Sequence, residues 1–315
     1  TMDYFLLECP LQLFSNSIHI GEKLGEGANS SVFQCVLKGH EYAVKVLTSD
    51  IYEINEQFLD DVLDECKLLQ KINKCEQCIS TTGFTYEEDE DETTNIYIIM
   101  EKLNTDLYKY IQDENFWTSS RKYGNQLHPK PETKFVVFNN EDRLHWCYHM
   151  PLSKKKKITL SILSAVRELH IQKIVHADIK SNNMGYHYSN GIQIIKLFDF
   201  GASIDMEDYQ EVTIEHVLGT EGYRAPEQDE GTLSYSSDVY SVGITIIELW
   251  NGDIWGEGEG FKKCRNEVLY GLRKIEKENK PFGTYLRKCV HVQPQKRPTI
   301  KNMKRTMTRL FKTYI

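Results

Sequence analysis

The sequence predicts an α+β chain: a small strand-rich region carrying one main helix, followed by a larger helical region. Three observations predict it. From Ile18 to Leu47, three β-rich segments are separated by glycine-bearing turns at Gly25–Gly27 and Gly39–His40, the pattern of a meander. Apolar residues at Ile51, Ile54, Phe58, Val62, Cys66 and Leu69 then recur at spacings of three and four, which gives one helix a single apolar stripe. After Leu103 the periodicity turns helical.

Taken in order, the helix that carries Glu65 follows the meander, and two further strands are expected near Ser80–Tyr86 and Ile96–Glu101. Between them, the acidic run Glu87–Glu92 reads as a solvated hairpin tip, with a docking site for a basic partner as the alternative. Helical patterns cover Asp106–Ile111, Ile158–Ile171, Val239–Trp250, Phe261–Ile275, Tyr285–His291 and Ile300–Leu310. The stretch from Gln112 to Ser153 is too long for a simple connection. Its aromatic residues Phe116, Trp117, Phe135, Phe138, Trp146 and Tyr148 predict that part of it packs on the helical region. A zinc site built from Cys75 and Cys78 with two of His145, Cys147 and His149 is the alternative use of this region. Its second half lacks a recognised ligand spacing, so reduced thiols are expected instead.

Composition sets outer limits. A chain of 315 residues with 40% hydrophobic residues can bury one large or two modest cores. Its longest apolar segments, such as Ile244–Trp250, are far too short to span a bilayer. The start, Thr1-Met2-Asp3-Tyr4-Phe5, lacks a basic n-region and a cleavable apolar core, so a cytoplasmic or nuclear location is expected. The eight cysteines are scattered, apart from Cys75 and Cys78, which fits reduced thiols in an intracellular protein. A net charge of −8 argues against general nucleic-acid binding and suits basic protein substrates.

Chemistry concentrates in two short stretches. His176-Ala177-Asp178-Ile179-Lys180 leads to Asn183, and Asp199-Phe200-Gly201 follows. Phosphoryl transfer needs one carboxylate to orient the attacking hydroxyl, and a second carboxylate with an amide oxygen to hold Mg²⁺ against the phosphates. Asp178, Asp199 and Asn183 supply that set, with Lys180 available to stabilise the transferring group. Upstream, Gly25-Glu26-Gly27 and Ser30-Ser31-Val32 form a glycine-bearing turn whose backbone N–H groups can approach phosphate oxygens. Ala43-Val44-Lys45 places a lysine in an apolar strand.

With Gly219-Thr220, Ala225-Pro226-Glu227 and Lys296-Arg297-Pro298 downstream, these motifs stand in the order of the eukaryotic protein kinase family, which the chain resembles from about Ile18 to about Leu310. The resemblance implies a bilobal fold. A small antiparallel-sheet N-lobe (1–103) would precede a larger helical C-lobe (104–315) with an insertion at about 112–153, and ATP would bind in the cleft. It also implies serine/threonine specificity through Lys180, a protein substrate, and ATP and Mg²⁺ as cofactors. Lys45 would contact the α- and β-phosphates while paired to Glu65, Asp178 would orient the hydroxyl, and Asn183 and Asp199 would hold Mg²⁺. Gly25, Gly27, Ser30, Val32, Ala43, Met100, Glu101, Leu103 and Asp106 would surround the nucleotide, and Arg297 would pair with Glu227.

The departures from the family pattern carry their own expectations. Ala177 stands where most members have an arginine that grips an activation-segment phosphate, and Ile204 replaces a second basic residue. From Ala202 to Leu218 the chain has five carboxylates (Asp205, Glu207, Asp208, Glu211, Glu215) and no lysine or arginine, so a phosphate there should meet repulsion. Activity independent of activation-segment phosphorylation is therefore expected. Ser30 takes the place of the third glycine, and Gly185 takes the place of a leucine-like floor of the adenine pocket, which should leave that floor roomier. A catalytically silent scaffold and a small-molecule kinase are the competing functions. The second would not need Gly219-Thr220 and Ala225-Pro226-Glu227, which build a peptide platform in the family.

Overall fold

The computed structural model describes residues 2–14, 18–26, 30–48, 56–88, 94–112, 150–189, 192–252 and 261–313. Gly27, Ile51, Ile54, most of the acidic run, most of the insertion and the zinc candidates His145, Cys147 and His149 lie outside these residues. The chain forms two compact units. The first comprises Thr1–Asn104, Glu168–His176 and Gly185–Tyr209, and the second comprises Thr105–Arg167, Ala177–Met184 and Gln210–Ile315.

The first unit is built on an antiparallel sheet of β1 (His19–Glu26), β2 (Ser30–Leu37), β3 (His40–Thr48), β4 (Thr81–Glu88) and β5 (Thr94–Glu101). Its spatial order is β1-β2-β3-β5-β4. The register sets Lys45 opposite Val32 on one side and Ile98 on the other, and Ala43 opposite Met100. Helix α2 (Glu56–Ile72) buries Leu59, Val62, Leu63, Cys66, Leu69 and Ile72, the stripe that a 3.6-residue period puts on one face.

A short helix, α1 (Met2–Glu8), precedes the sheet, although the sequence gives no periodic signal there. Tertiary contact holds it. Phe5 is fully buried edge-on against Phe84, and Phe84 exchanges backbone hydrogen bonds with Gln12 and Phe14, each at 2.8 Å. Gly83 permits that approach, since a Cβ there would lie 2.2 Å from the Gln12 carbonyl oxygen.

The second unit is helical: α3 (Leu107–Gln112), α4 (Leu152–Ile171, whose last turn belongs to the first unit), α5 (Pro226–Asp229), α6 (Tyr235–Asn251), α7 (Phe261–Glu278), α8 (Lys280–Cys289) and α9 (Ile300–Thr313). Helix α6 is apolar almost all round and is buried from Ser237 to Trp250 except at Tyr240, as a central helix must be. Ser234 caps its start by accepting from the Ser236 amide, and Gly252 ends it at φ +85°. Trp250, Phe282 and Phe311 form one aromatic cluster with centroids 4.5–5.7 Å apart. Among the described residues no helix is long and apolar enough to cross a membrane.

Candidate active site

In the first unit, β3 presents Lys45 and α2 presents Glu65. The Lys45 ammonium donates to both Glu65 carboxylate oxygens at 2.7 and 3.0 Å and to Asp199 Oδ1 at 3.1 Å. Lys45 and Glu65 are buried, whereas the Asp199 side chain is 40% exposed. Burial by itself would lower the Lys45 pKa, but the charges of Glu65 and Asp199 outweigh it and raise the pKa instead. Asp199 adopts a left-handed backbone at φ +61°. Beside it, Phe200 packs on the ring of buried His176 at 5.0 Å, and His176 Nε2 donates to the Phe198 carbonyl at 3.1 Å.

In the second unit, Asp178 is the hub. Its Oδ1 accepts from the Thr220 amide at 2.8 Å and the Thr220 hydroxyl at 2.7 Å. Its Oδ2 accepts from Lys180 and from the Asn183 amide nitrogen, both at 2.8 Å, and Lys180 also donates to Thr220 Oγ1 at 2.6 Å. Asn183 spends its amide nitrogen on Asp178, so its carbonyl oxygen is the atom left to act as a ligand. Glu227 and Arg297 form a two-pronged buried ion pair at 2.6 and 2.8 Å, the geometry in which guanidinium–carboxylate pairing is strongest.

The expected nucleotide-binding residues have mixed fates. Gly25 pairs with Val32 in the β1–β2 hairpin, and a Cβ on Gly25 would meet nothing within 4 Å. Ser30 opens β2, while Ala43 and Met100 are buried. Glu101 commits its carboxylate to the Ser80 amide at 2.7 Å and to Lys196, a structural use of that side chain. Asp106 accepts from the Lys109 amide at 2.7 Å and caps the start of α3.

Two expectations need correction. The space over Gly185 is not open. A Cβ there would lie 1.9 Å from Leu103 Cδ1, so Leu103 fills the volume that the missing side chain vacates. The acidic activation segment is also less repulsive than its composition suggests, because Asp205 pairs with Lys71 and Asp208 with Lys173, cations from outside the segment.

Gln228 and Asp238 were not among the expected site residues. Asp238 Oδ1 accepts from the Ala177 amide at 3.0 Å. Gln228 donates to the Ala177 and Leu218 carbonyls, both at 3.1 Å, and accepts from the Ala225 amide at 2.8 Å. The sequence signal was available: Gln228 stands at the third position of a helix opened by Pro226, where a glutamine reaches back to the cap. Among the described residues no group of three or more His, Cys, Asp or Glu side chains is placed to hold a metal ion.

The chain belongs to the protein kinase domain family, whose model matches residues 18–307. It is 25% identical over 294 residues to the serine/threonine-protein kinase MPS1 of Encephalitozoon cuniculi, covering 91% of this chain and 42% of that protein. It is 26% identical over 298 residues to the serine/threonine-protein kinase fray1 of Dictyostelium discoideum, covering 90% and 44%. Myosin-IIIa of Mus musculus is 25% identical over 306 residues, covering 92% and 16%. The chain therefore spans less than half the length of these relatives.

Proposed function

We propose that the chain is a protein serine/threonine kinase that transfers the γ-phosphoryl group of Mg-ATP to a hydroxyl of a protein substrate. The observation that carries this reading is the Asp178 carboxylate, which already holds a hydroxyl, that of Thr220, at 2.7 Å with Lys180 beside it. A substrate serine or threonine needs the same acceptor to orient its attack, and Lys180 neutralises charge on the group in transit. Lys45, fixed by Glu65, is the cation for the α- and β-phosphates. The ion pair with Glu65 keeps it protonated and correctly aimed before nucleotide arrives.

The donor chemistry of Asn183 and Asp199 fits Mg²⁺, which takes hard oxygen ligands and completes its shell with phosphates and water. Asn183 keeps its oxygen for that role by turning its nitrogen to Asp178. When bound, the ion supplies neutralisation of the phosphate charge. Activity independent of activation-segment phosphorylation belongs to the same reading. It is supported by Ala177 and Ile204, which remove the two expected cations, and by the buried Glu227–Arg297 pair.

Transfer of labelled phosphate to a serine/threonine peptide library tests the reading. Asp178→Asn and Lys45→Met are each expected to lose about 10²–10⁴ in rate while keeping the wild-type circular dichroism spectrum. Wild-type turnover in a folded Asp178→Asn protein would refute the assignment. Absence of any transfer by the wild-type protein would favour a scaffold instead.

A further inference from the structure

Ala177 occupies a strained position, with φ at +64° and no side chain beyond Cβ to anchor it. Its peptide groups are held instead. Asp238 accepts from its amide at 3.0 Å, and Gln228 Nε2 donates to its carbonyl at 3.1 Å. The same Nε2 donates to the Leu218 carbonyl at 3.1 Å. Ala177 immediately precedes Asp178, and Leu218 lies two residues before Thr220, so Gln228 forms a second cross-link beside the contact between Asp178 and Thr220. Gly219 fits in the space between, at φ +89°, where a Cβ would lie 2.5 Å from the Ala177 oxygen.

Gln228 is fully buried and uses all of its amide. Helix capping accounts for the bond that Oε1 accepts from Ala225. It does not account for the two that Nε2 donates, because the cap needs no donor. We infer that Gln228 is a positioning residue that locks the catalytic loop to the activation segment, so that Asp178 meets the incoming hydroxyl in a fixed geometry. This inference rests on the kinase reading and deepens it. The ordering that the family draws from an arginine and a phosphate comes here from a neutral amide that is permanently in place.

The test uses Gln228→Leu, which removes every bond, and Gln228→Glu, which keeps only the acceptor for Ala225. In Gln228→Leu, kcat for peptide phosphorylation should fall about 10-fold to 100-fold, while the ATP dissociation constant stays within about twofold. The Thr220 amide, held by Asp178, should exchange with deuterium about 10-fold faster. In Gln228→Glu a carboxylate would face two carbonyl oxygens, which raises its pKa. Its kcat relative to wild type should therefore rise as pH falls from about 8 to about 6 and the acid regains a donor. Wild-type kcat in folded Gln228→Leu would overturn the inference, as would parallel losses of kcat and ATP affinity, which mark general loosening. If wild-type protein transfers no phosphate, the proposed activity fails, and the Thr220 exchange rate then decides the locking role alone.

Discussion

Cys75 and Cys78 show how much a short spacing can hide. The turn between them is closed by a 3.0 Å bond from the Cys78 amide to the Cys75 carbonyl, and their thiols hydrogen-bond to each other. That bond pulls the partly buried Cys75 thiol down to about 7, while the buried Cys78 thiol is pushed up. At neutral pH Cys75 is therefore the more nucleophilic of the two. Its alkylation rate by iodoacetamide should climb through about pH 7 and level off about one unit above it, with Cys35, Cys66 and Cys289 protected by burial. Peptide mapping checks this, and labelling of Cys78 before Cys75 would contradict it. Other single-residue outcomes were uneven in their legibility. The pairing of Lys45 with Glu65 could be anticipated because Glu65 borders the α2 stripe. Leu103 filling the space over Gly185 could not, since that contact joins residues far apart in sequence and no local period encodes it.

Among the helices that sequence patterning anticipates, α4 starts furthest from expectation, beginning at Leu152 where periodicity suggested Ile158. Four consecutive lysines, Lys154–Lys157, mask its first turns. The structure shows why they are tolerated: long side chains lay their methylenes along apolar surface and carry the charge to a partner. Lys154 sits 4.8 Å from the Tyr110 ring centroid, Lys155 donates to the Trp250 carbonyl at 2.7 Å, and Lys156 to the Phe311 carbonyl at 3.2 Å. Burial, assisted by repulsion from Lys157, lowers the Lys154 pKa from 10.5 to about 8. Between those two values the unfolded chain binds more protons than the folded one, so this lysine makes stability rise with pH across that window. Below about 8 both states are protonated and the burial penalty is felt in full. Lys154→Met should therefore stabilise the protein relative to wild type at neutral pH, and the difference should shrink towards pH 10.5. Denaturant melts of both proteins at the two pH values measure it, and a pH-independent difference would show that Lys154 is not the titrating group. Helix α6 was legible as a long apolar run, and α9 because its apolar face obeys the helical period, with Ile300, Met303, Met307 and Phe311 buried along it. Helix α1 was not, because contact with Phe84 holds it, and propensity does not.

At the scale of the whole molecule, each unit makes its own contacts to part of the activation segment. In the first unit, Asp205 is paired with Lys71 and Asp208 with Lys173, and Ile204-Asp205 forms a strand pair with Ile174-Val175. In the second, Glu211–Thr213 pairs with Thr232–Ser234, and the Ile214 amide donates to the Gly231 carbonyl at 2.9 Å. The Tyr223 hydroxyl donates to buried Glu248 at 2.9 Å, and Glu227 is fixed by Arg297. An arginine–phosphate contact contributes about 1.5–3 kcal/mol per charge-assisted bond. A phosphate on this segment would find no arginine at Ala177 and no basic residue at Ile204, and the nearby lysines Lys71 and Lys173 are already engaged by carboxylates. On the proposed reading that ordering energy lacks its two expected cations, whereas the strand pairs and ion pairs of the segment need no phosphate. Protein treated with a broad-specificity phosphatase should retain its activity within about twofold, and Thr213→Ala and Tyr209→Phe should match wild type. A drop of about tenfold or more after dephosphorylation, restored by rephosphorylation and mapped by mass spectrometry to Tyr209 or Thr213, would mean that a phosphate on one of these residues supplies ordering that the carboxylate–lysine pairs and strand contacts do not.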